Sequence, residues 1–295
     1  MHTHTSFCDG KSGVEDFCET AYTKDFVSLG FSAHAPPQEN DIQSDWHLSR
    51  QNINAYIDAV EAARKKWRGK LDVYLGMEVD YIRGVQGPAS AFYQNLPLDF
   101  IIGSVHCVPP PGMTIDWAKK RYGNKLLCID GSPEEFEFII NEGFNGNAEN
   151  LVRAYYADVR TMCDEGCFDI LGHLDLITKN NIEMKFFNPN SEWYTREIDA
   201  LSTVLQNTGI TAEINTGGMI RGKTLSPYPS FEILRRLREK NVPVTLNADA
   251  HAPDHLGGFY EEALLLAKKA GFTAYKLFNG RRGKEGACWE SEEIR

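Results

Sequence analysis

No apolar run in this chain approaches the roughly 18 residues that a bilayer-spanning helix needs, so no transmembrane helix is expected. Positive charge is also scarce: 31 Lys and Arg stand against 41 Asp and Glu, for a formal net charge of -10. The densest basic run, KKWRGK at 65–70, reads as the solvated end of a helix. Such a chain offers no basic path for non-specific binding to nucleic-acid phosphates, and an anionic substrate would need a local basic pocket or metal ions. Cysteine is sparse and scattered. Its odd count of seven, with no secretory leader evident, argues for packed thiols in a reducing cytoplasm; Cys163 and Cys167, four apart on a predicted helix, are expected to be unbridged. Low-complexity segments, internal repeats and internal linkers are missing too. At 295 residues, 42% hydrophobic and 24% charged, the chain suits one soluble α/β barrel spanning 1–295.

What is present is an alternation of helical and extended patterns. Helical periodicity marks 14–26, 52–67, 147–166, 193–209, 230–241 and 261–272. Extended segments are expected at 27–35, 71–81, 100–108, 168–176, 210–218 and 242–251, with AYKLFNGRR following the last helix. About seven such units imply a mostly parallel sheet, and a closed barrel fits better than an open one. The longest irregular stretch, 107–146, begins CVPPPGMTIDW and reads as a lid-like insertion or substrate-binding loop.

The histidines carry the chemistry. In HTHTSFCDG, His2 and His4 lie one residue apart on an extended segment, so both imidazoles point the same way and can reach one ion. Asp9 and Gly10 then open a turn where a carboxylate could approach a second ion. His34, His106, His173 and His251 fall at the C-terminal ends of different strands, and Glu78 and Asp249 occupy equivalent places. A single such histidine is more often structural; recurrence at one end of successive strands is harder to dismiss, since that end is where a parallel barrel builds its active site. Carboxylates buried together would repel unless cations neutralise them, and an imidazole–carboxylate set suits Zn, Mn or Fe without the nearby Cys8. Arg221, in NTGGMIRGK, is a candidate phosphate anchor because guanidinium binds phosphate bidentately; Lys223 is a weaker one. Glu213 and Asn215 are expected at the pocket floor, and Asp175 beside His173 to orient it. His47 reads as a loop or surface residue, and His255 as lying beside the site or on the surface.

HTHTSFCDG, SAHAP, GMEVDY, GSVHC, GHLDL and NADAH together resemble the polymerase and histidinol phosphatase (PHP) superfamily, in that family's order and over almost the whole chain. HTHTSFC, GMEVDY and SVH are most similar to its monofunctional histidinol-phosphate phosphatases. The resemblance implies a distorted (β/α)7 barrel with its active site at the C-terminal strand ends and three divalent ions. His2, His4, Asp249 and Glu78 would hold the first ion. Glu78 would bridge to a second held with His106 and His173, and Asp9, His34 and His251 would hold the third. Some histidinol phosphatases carry a histidine where this chain has Asp9; aspartate occurs there in other branches, so a third ion is still expected. Little sequence precedes His2, so the first strand is expected to be short or frayed.

The implied substrate is L-histidinol phosphate and the implied pathway histidine biosynthesis. Clustered divalent ions would neutralise phosphate charge and acidify water, whose hydroxide attacks phosphorus in line, with Asp249 or His251 assisting the leaving alkoxide. The substrate's amine and imidazole call for an acidic or aromatic neighbour, which 107–146 is placed to supply. The rivals are another phosphoesterase of the superfamily (a nuclease, a nucleotide phosphatase or a phosphotyrosine phosphatase), a carbon–nitrogen hydrolase and a non-catalytic module. Glu78 stands where carbon–nitrogen hydrolases often use a carboxylated lysine, and the full donor set argues against the module.

Overall fold

The computed structural model describes residues 1–38, 44–114, 117–123, 125–280 and 288–294. Its sheet runs in strict chain order: β1 (Ser28–His34), β2 (Asp72–Asp80), β3 (Phe100–Ser104), β4 (Ile170–Leu171), β5 (Thr211–Asn215), β6 (Val244–Asn247), β7 (Ala274–Phe278) and β8 (Trp289–Glu293). Neighbours pair in parallel up to β7, and β8 returns antiparallel to it. Amphipathic helices, among them Val14–Thr23, Ile53–Trp67, Ala148–Glu165, Glu192–Thr208, Phe231–Glu239 and Tyr260–Lys269, follow the expected alternation. Among the described residues no helix is long and apolar enough to cross a membrane.

The two ends of the six-strand run β1–β6 are joined by residues 2–4. Ser32 N donates to Thr3 O at 2.9 Å on one side, while His4 N donates to Ala250 O at 2.8 Å and Ala250 N to His2 O at 3.1 Å on the other. This short segment is thus the seventh stave of a (β/α)7 ring. It is short, as expected, but buried rather than frayed: His2, Thr3, His4 and Thr5 are all enclosed. Below Ala250, β7 pairs with β6 at Thr245 and Lys276.

Strand residues alternate between an outer layer and an inner one. Val73, Leu75, Met77 and Val79 of β2 join the large core shared with the helices. Tyr74 joins a separate cluster with Phe100, Ile102, Ile170 and Phe278, against which Met1 and Trp289 pack. Gly76 makes room for it, since a Cβ there would lie 2.5 Å from the Phe100 ring.

Two strands are shorter than the sequence pattern suggests. The segment 168–176 pairs only at Ile170–Leu171, because Leu176 N turns back to His173 O at 2.9 Å. The segment 100–108 ends as a strand at Ser104, and the carbonyl of His106 accepts instead from Ile129 N at 2.9 Å. In 107–146, where residues 115, 116 and 124 lie outside the described set, Pro133–Phe138 forms an unanticipated helix. Its signal was available: in SPEE, Ser132 Oγ accepts from Glu135 N at 3.2 Å and the Glu135 carboxylate accepts from Ser132 N. Arg281 and Arg282 of the final extended run also lie outside the described residues.

Candidate metal centre

All nine residues singled out as ligands meet at the C-terminal mouth of the ring. Strand alternation delivers them. His34 closes β1 and is paired in register with Glu78 of β2. His2 and His4 flank Thr3 of the seventh stave. Asp249 follows β6 in a left-handed conformation (φ 48°), which aspartate tolerates better than most residues.

Glu78 is the hub. Its Oε2 lies 3.1 Å from His2 Nε2, 3.4 Å from His4 Nε2 and 3.0 Å from His34 Nδ1. Its Oε1 accepts from Ser104 Oγ at 2.7 Å and lies 3.0 Å from His173 Nε2 and 3.8 Å from His106 Nε2. Asp249 Oδ1 is 3.4 Å from His4 Nε2 and 3.8 Å from His2 Nε2. Asp9 Oδ2 is 3.1 Å from His251 Nε2 and 3.8 Å from His34 Nε2. Buried polar groups normally find hydrogen bonds. Here His2 Nε2, His4 Nε2, His34 Nδ1 and Glu78 Oε2 have none despite facing one another. Lone pairs converging without hydrogen-bond geometry fit shared cations, so the donor set suits metal.

Further carboxylates hold the imidazoles in place. Glu213, fully buried, binds His2 Nδ1 at 2.7 Å and also accepts from His173 N, Asn215 Nδ2 and Asn247 Nδ2, each at 2.9 Å. Asp80 binds His106 Nδ1 on one oxygen and His47 Nε2, at 2.8 Å, on the other. A carboxylate on Nδ1 fixes the tautomer whose Nε2 lone pair is free for a metal. Burial opposes charge in this cluster, and mutual attraction outweighs it at His2 and Glu78: His2 is raised well above the imidazole range by Glu213, Glu78 and Asp249, and Glu78 is held well below the carboxylate range by His2 and His34; at His4 burial and the neighbouring His34 and His251 win, lowering it to about 3. Burial and the adjacent Asp9 charge push the Cys8 thiol up to about 11.

Two other positions, His47 and Asp175, depart from the sequence reading. His47 is buried, because its ring spans Ser44 Oγ and Asp80 beneath Trp46. Asp175 does not reach His173: the chain turns after His173, and Asp175 Oδ2 accepts from Ser230 N at 3.0 Å. Arg221 is engaged, with Nη2 on Asp249 Oδ2 at 2.9 Å and Nη1 on the Asp249 carbonyl at 2.8 Å. His255 stands beside the site, accepting from His251 N at 3.3 Å. Asp80 was overlooked; its place two residues after Glu78 on the same strand face was the signal. Over the cluster lies a cavity of about 380 Å³ whose walls include Trp46, Asp130, Lys179, Arg221, Lys223 and Tyr228.

The PHP domain family matches residues 1–217. This chain belongs to that family. Over 276 residues it is 26% identical to the histidinol-phosphatase of Bacillus subtilis, covering 89% of this chain and 97% of that one. Among solved structures it is similar to HisK of Listeria monocytogenes, with a TM-score of 0.74 at 21% identity, covering 88% of this chain and 98% of the other. It is also similar to the histidinol phosphate phosphatase of Lactococcus lactis, solved with zinc, L-histidinol and phosphate; there the TM-score is 0.63 at 19% identity, with 94% and 95% covered. These likenesses establish the PHP-type fold over nearly the whole chain.

Proposed function

We propose that this PHP protein is a metal-dependent phosphomonoester hydrolase that converts L-histidinol phosphate and water to L-histidinol and phosphate in cytoplasmic histidine biosynthesis. The observation that carries the reading is the convergence of nine donor residues, five of them histidines gathered around Glu78, beneath a cavity that also holds Arg221. Its full-length likeness to a histidinol-phosphatase narrows the substrate.

Three divalent ions fit the donors, with zinc the first choice and manganese or iron as alternatives. His2, His4, Glu78 and Asp249 would hold the first; Glu78, His106 and His173 the second; Asp9, His34 and His251 the third. Bound divalent ions supply Lewis acidity, neutralising phosphate charge and lowering the pKa of water. The protein's residues do the rest. Arg221 orients Asp249 and keeps unused N–H donors for a phosphate oxygen. Burial works against the Asp249 charge, but Arg221 and His2 hold that carboxyl well below its ordinary range, which suits a metal ligand rather than a proton donor. The 107–146 segment walls the cavity of this one catalytic barrel, and the small volume and acidic chain suit a small phosphorylated metabolite better than nucleic acid.

The test is phosphate release by metal-loaded enzyme from L-histidinol phosphate and, at matched concentration, from a generic phosphomonoester. A strong preference for the former is expected. Turnover of the generic ester alone would leave a PHP phosphatase and discard the substrate.

A further inference from the structure

Beside the metal cluster the cavity wall contains a half-buried ion pair that the reaction described above does not use. Lys179 Nζ donates to Asp130 Oδ2 at 3.0 Å and to the Asp130 carbonyl at 2.7 Å. The two residues come from different segments that are laced together. Ile129 N donates to His106 O at 2.9 Å. The buried Asn180 amide donates to Ile129 O at 3.0 Å and to Gly131 O at 3.2 Å. The pair is therefore held by backbone on both sides, unlike a surface ion pair between mobile side chains.

Asp130 is also the carboxylate best placed to receive a cation. Glu135 is committed to Lys125 and to Ser132 N, and Asp45 is exposed at the rim. Asp130 Oδ1, by contrast, has no hydrogen-bond partner among the described residues. It lines the same cavity as His106, His173 and Arg221, beside the metal cluster and the candidate phosphate anchor.

A phosphomonoester of a 2-amino alcohol carries an anion and a cation two carbons apart. A lysine and an aspartate side by side present the reverse arrangement. We propose that the Asp130–Lys179 pair selects phosphomonoesters of 2-amino alcohols, with Asp130 Oδ1 accepting from the substrate ammonium while Lys179 faces its phosphate. This rests on the phosphatase reading and names the feature of the alcohol that the site reads. Asp130 is then a specificity residue outside the metal ligands.

The experiment compares kcat/KM for L-histidinol phosphate and for its deamino analogue, 3-(imidazol-4-yl)propyl phosphate, in the metal-loaded full chain and in Asp130→Asn. The wild-type ratio should favour the amine. In Asp130→Asn that ratio should fall about 10- to 100-fold, the scale of a lost charge-assisted hydrogen bond, chiefly through KM for the amine-bearing ester. Asp130→Glu should recover part of it. A ratio unchanged in Asp130→Asn, including an equal fall for both esters, overturns the proposal, as does a wild-type ratio near one. Bound metal per chain and thermal unfolding verify that the variant is folded; if Asn is not tolerated, Asp130→Ser is read in the same way. Should the wild type ignore both imidazole esters, 2-aminoethyl phosphate against ethyl phosphate gives the same ratio. A preference there that Asp130→Asn abolishes would uphold the amine selection while the histidinol assignment falls.

Discussion

The two ends of the barrel interior are built by the same strands and do opposite things. On β2, Tyr74 and Gly76 belong to the lower interior, where Tyr74, Phe100, Ile102, Ile170 and Phe278 make a dry plug. Glu78 and Asp80, the next two residues on that face, stand in the polar mouth with the histidines. On β3 the succession is Phe100 and Ile102, then Ser104, with His106 just beyond the strand. The lower end is stabilised by burial alone, roughly 25 cal/mol per Å² of apolar surface. The mouth gathers Glu78, Asp80, Glu213 and Asp249 within a low-dielectric space, an arrangement that costs stability unless cations are bound. Stability and function are thereby divided along one strand, with a step of two residues between them.

That division can be broken from either side. The largest effect is expected from Glu78→Gln, which should lower kcat/KM by about a thousandfold or more, since several kcal/mol of charge stabilisation is at stake. Metal content by elemental analysis should fall with it while far-ultraviolet circular dichroism is retained. Unchanged turnover would remove the proposed metal centre from the mechanism. Phe100→Ala should cost about 3–5 kcal/mol of stability in denaturant titration by emptying the plug. Its metal stoichiometry should persist wherever the chain remains folded; loss of metal from a variant of near-native stability would show the two ends to be coupled. The mildest change is Asp80→Asn, which touches no proposed ion. It should weaken metal binding about 10- to 100-fold in a competitive chelator titration, because His106 loses the carboxylate that orients it. Equal affinity in wild type and variant would show that His106 needs no such support.

Much of this was legible in the sequence because it is local. The HTH pair, the strand-end histidines and the alternation of periods each depend on residues close together in the chain, and the structure places all nine candidates at one mouth. What escaped depends on pairing at a distance or on where a turn sends a side chain. Nothing in HTHTS declares that Thr3 will bond to Ser32 and Ala250 to His2 and His4. His47 read as surface because its partner, Asp80, lies 33 residues away. Asp175 read as a companion of His173 because two residues of separation put side chains together on a strand, but the strand had already ended at Leu171. The pairing of β7 with β8 was missed for a similar reason, since residues 281–287 between them carry no alternating pattern.

The seventh stave has a consequence for the order in which the molecule is made. Residues 2–4 leave the ribosome long before their hydrogen-bond partner, Ala250, is synthesised. Contacts of such sequence separation form late and slowly. Since that stave carries His2 and His4, a nascent chain that has folded most of its helices still lacks an assembled ligand set. The stave joined by these distant contacts also completes the proposed metal centre, so metal uptake is expected to report finished folding.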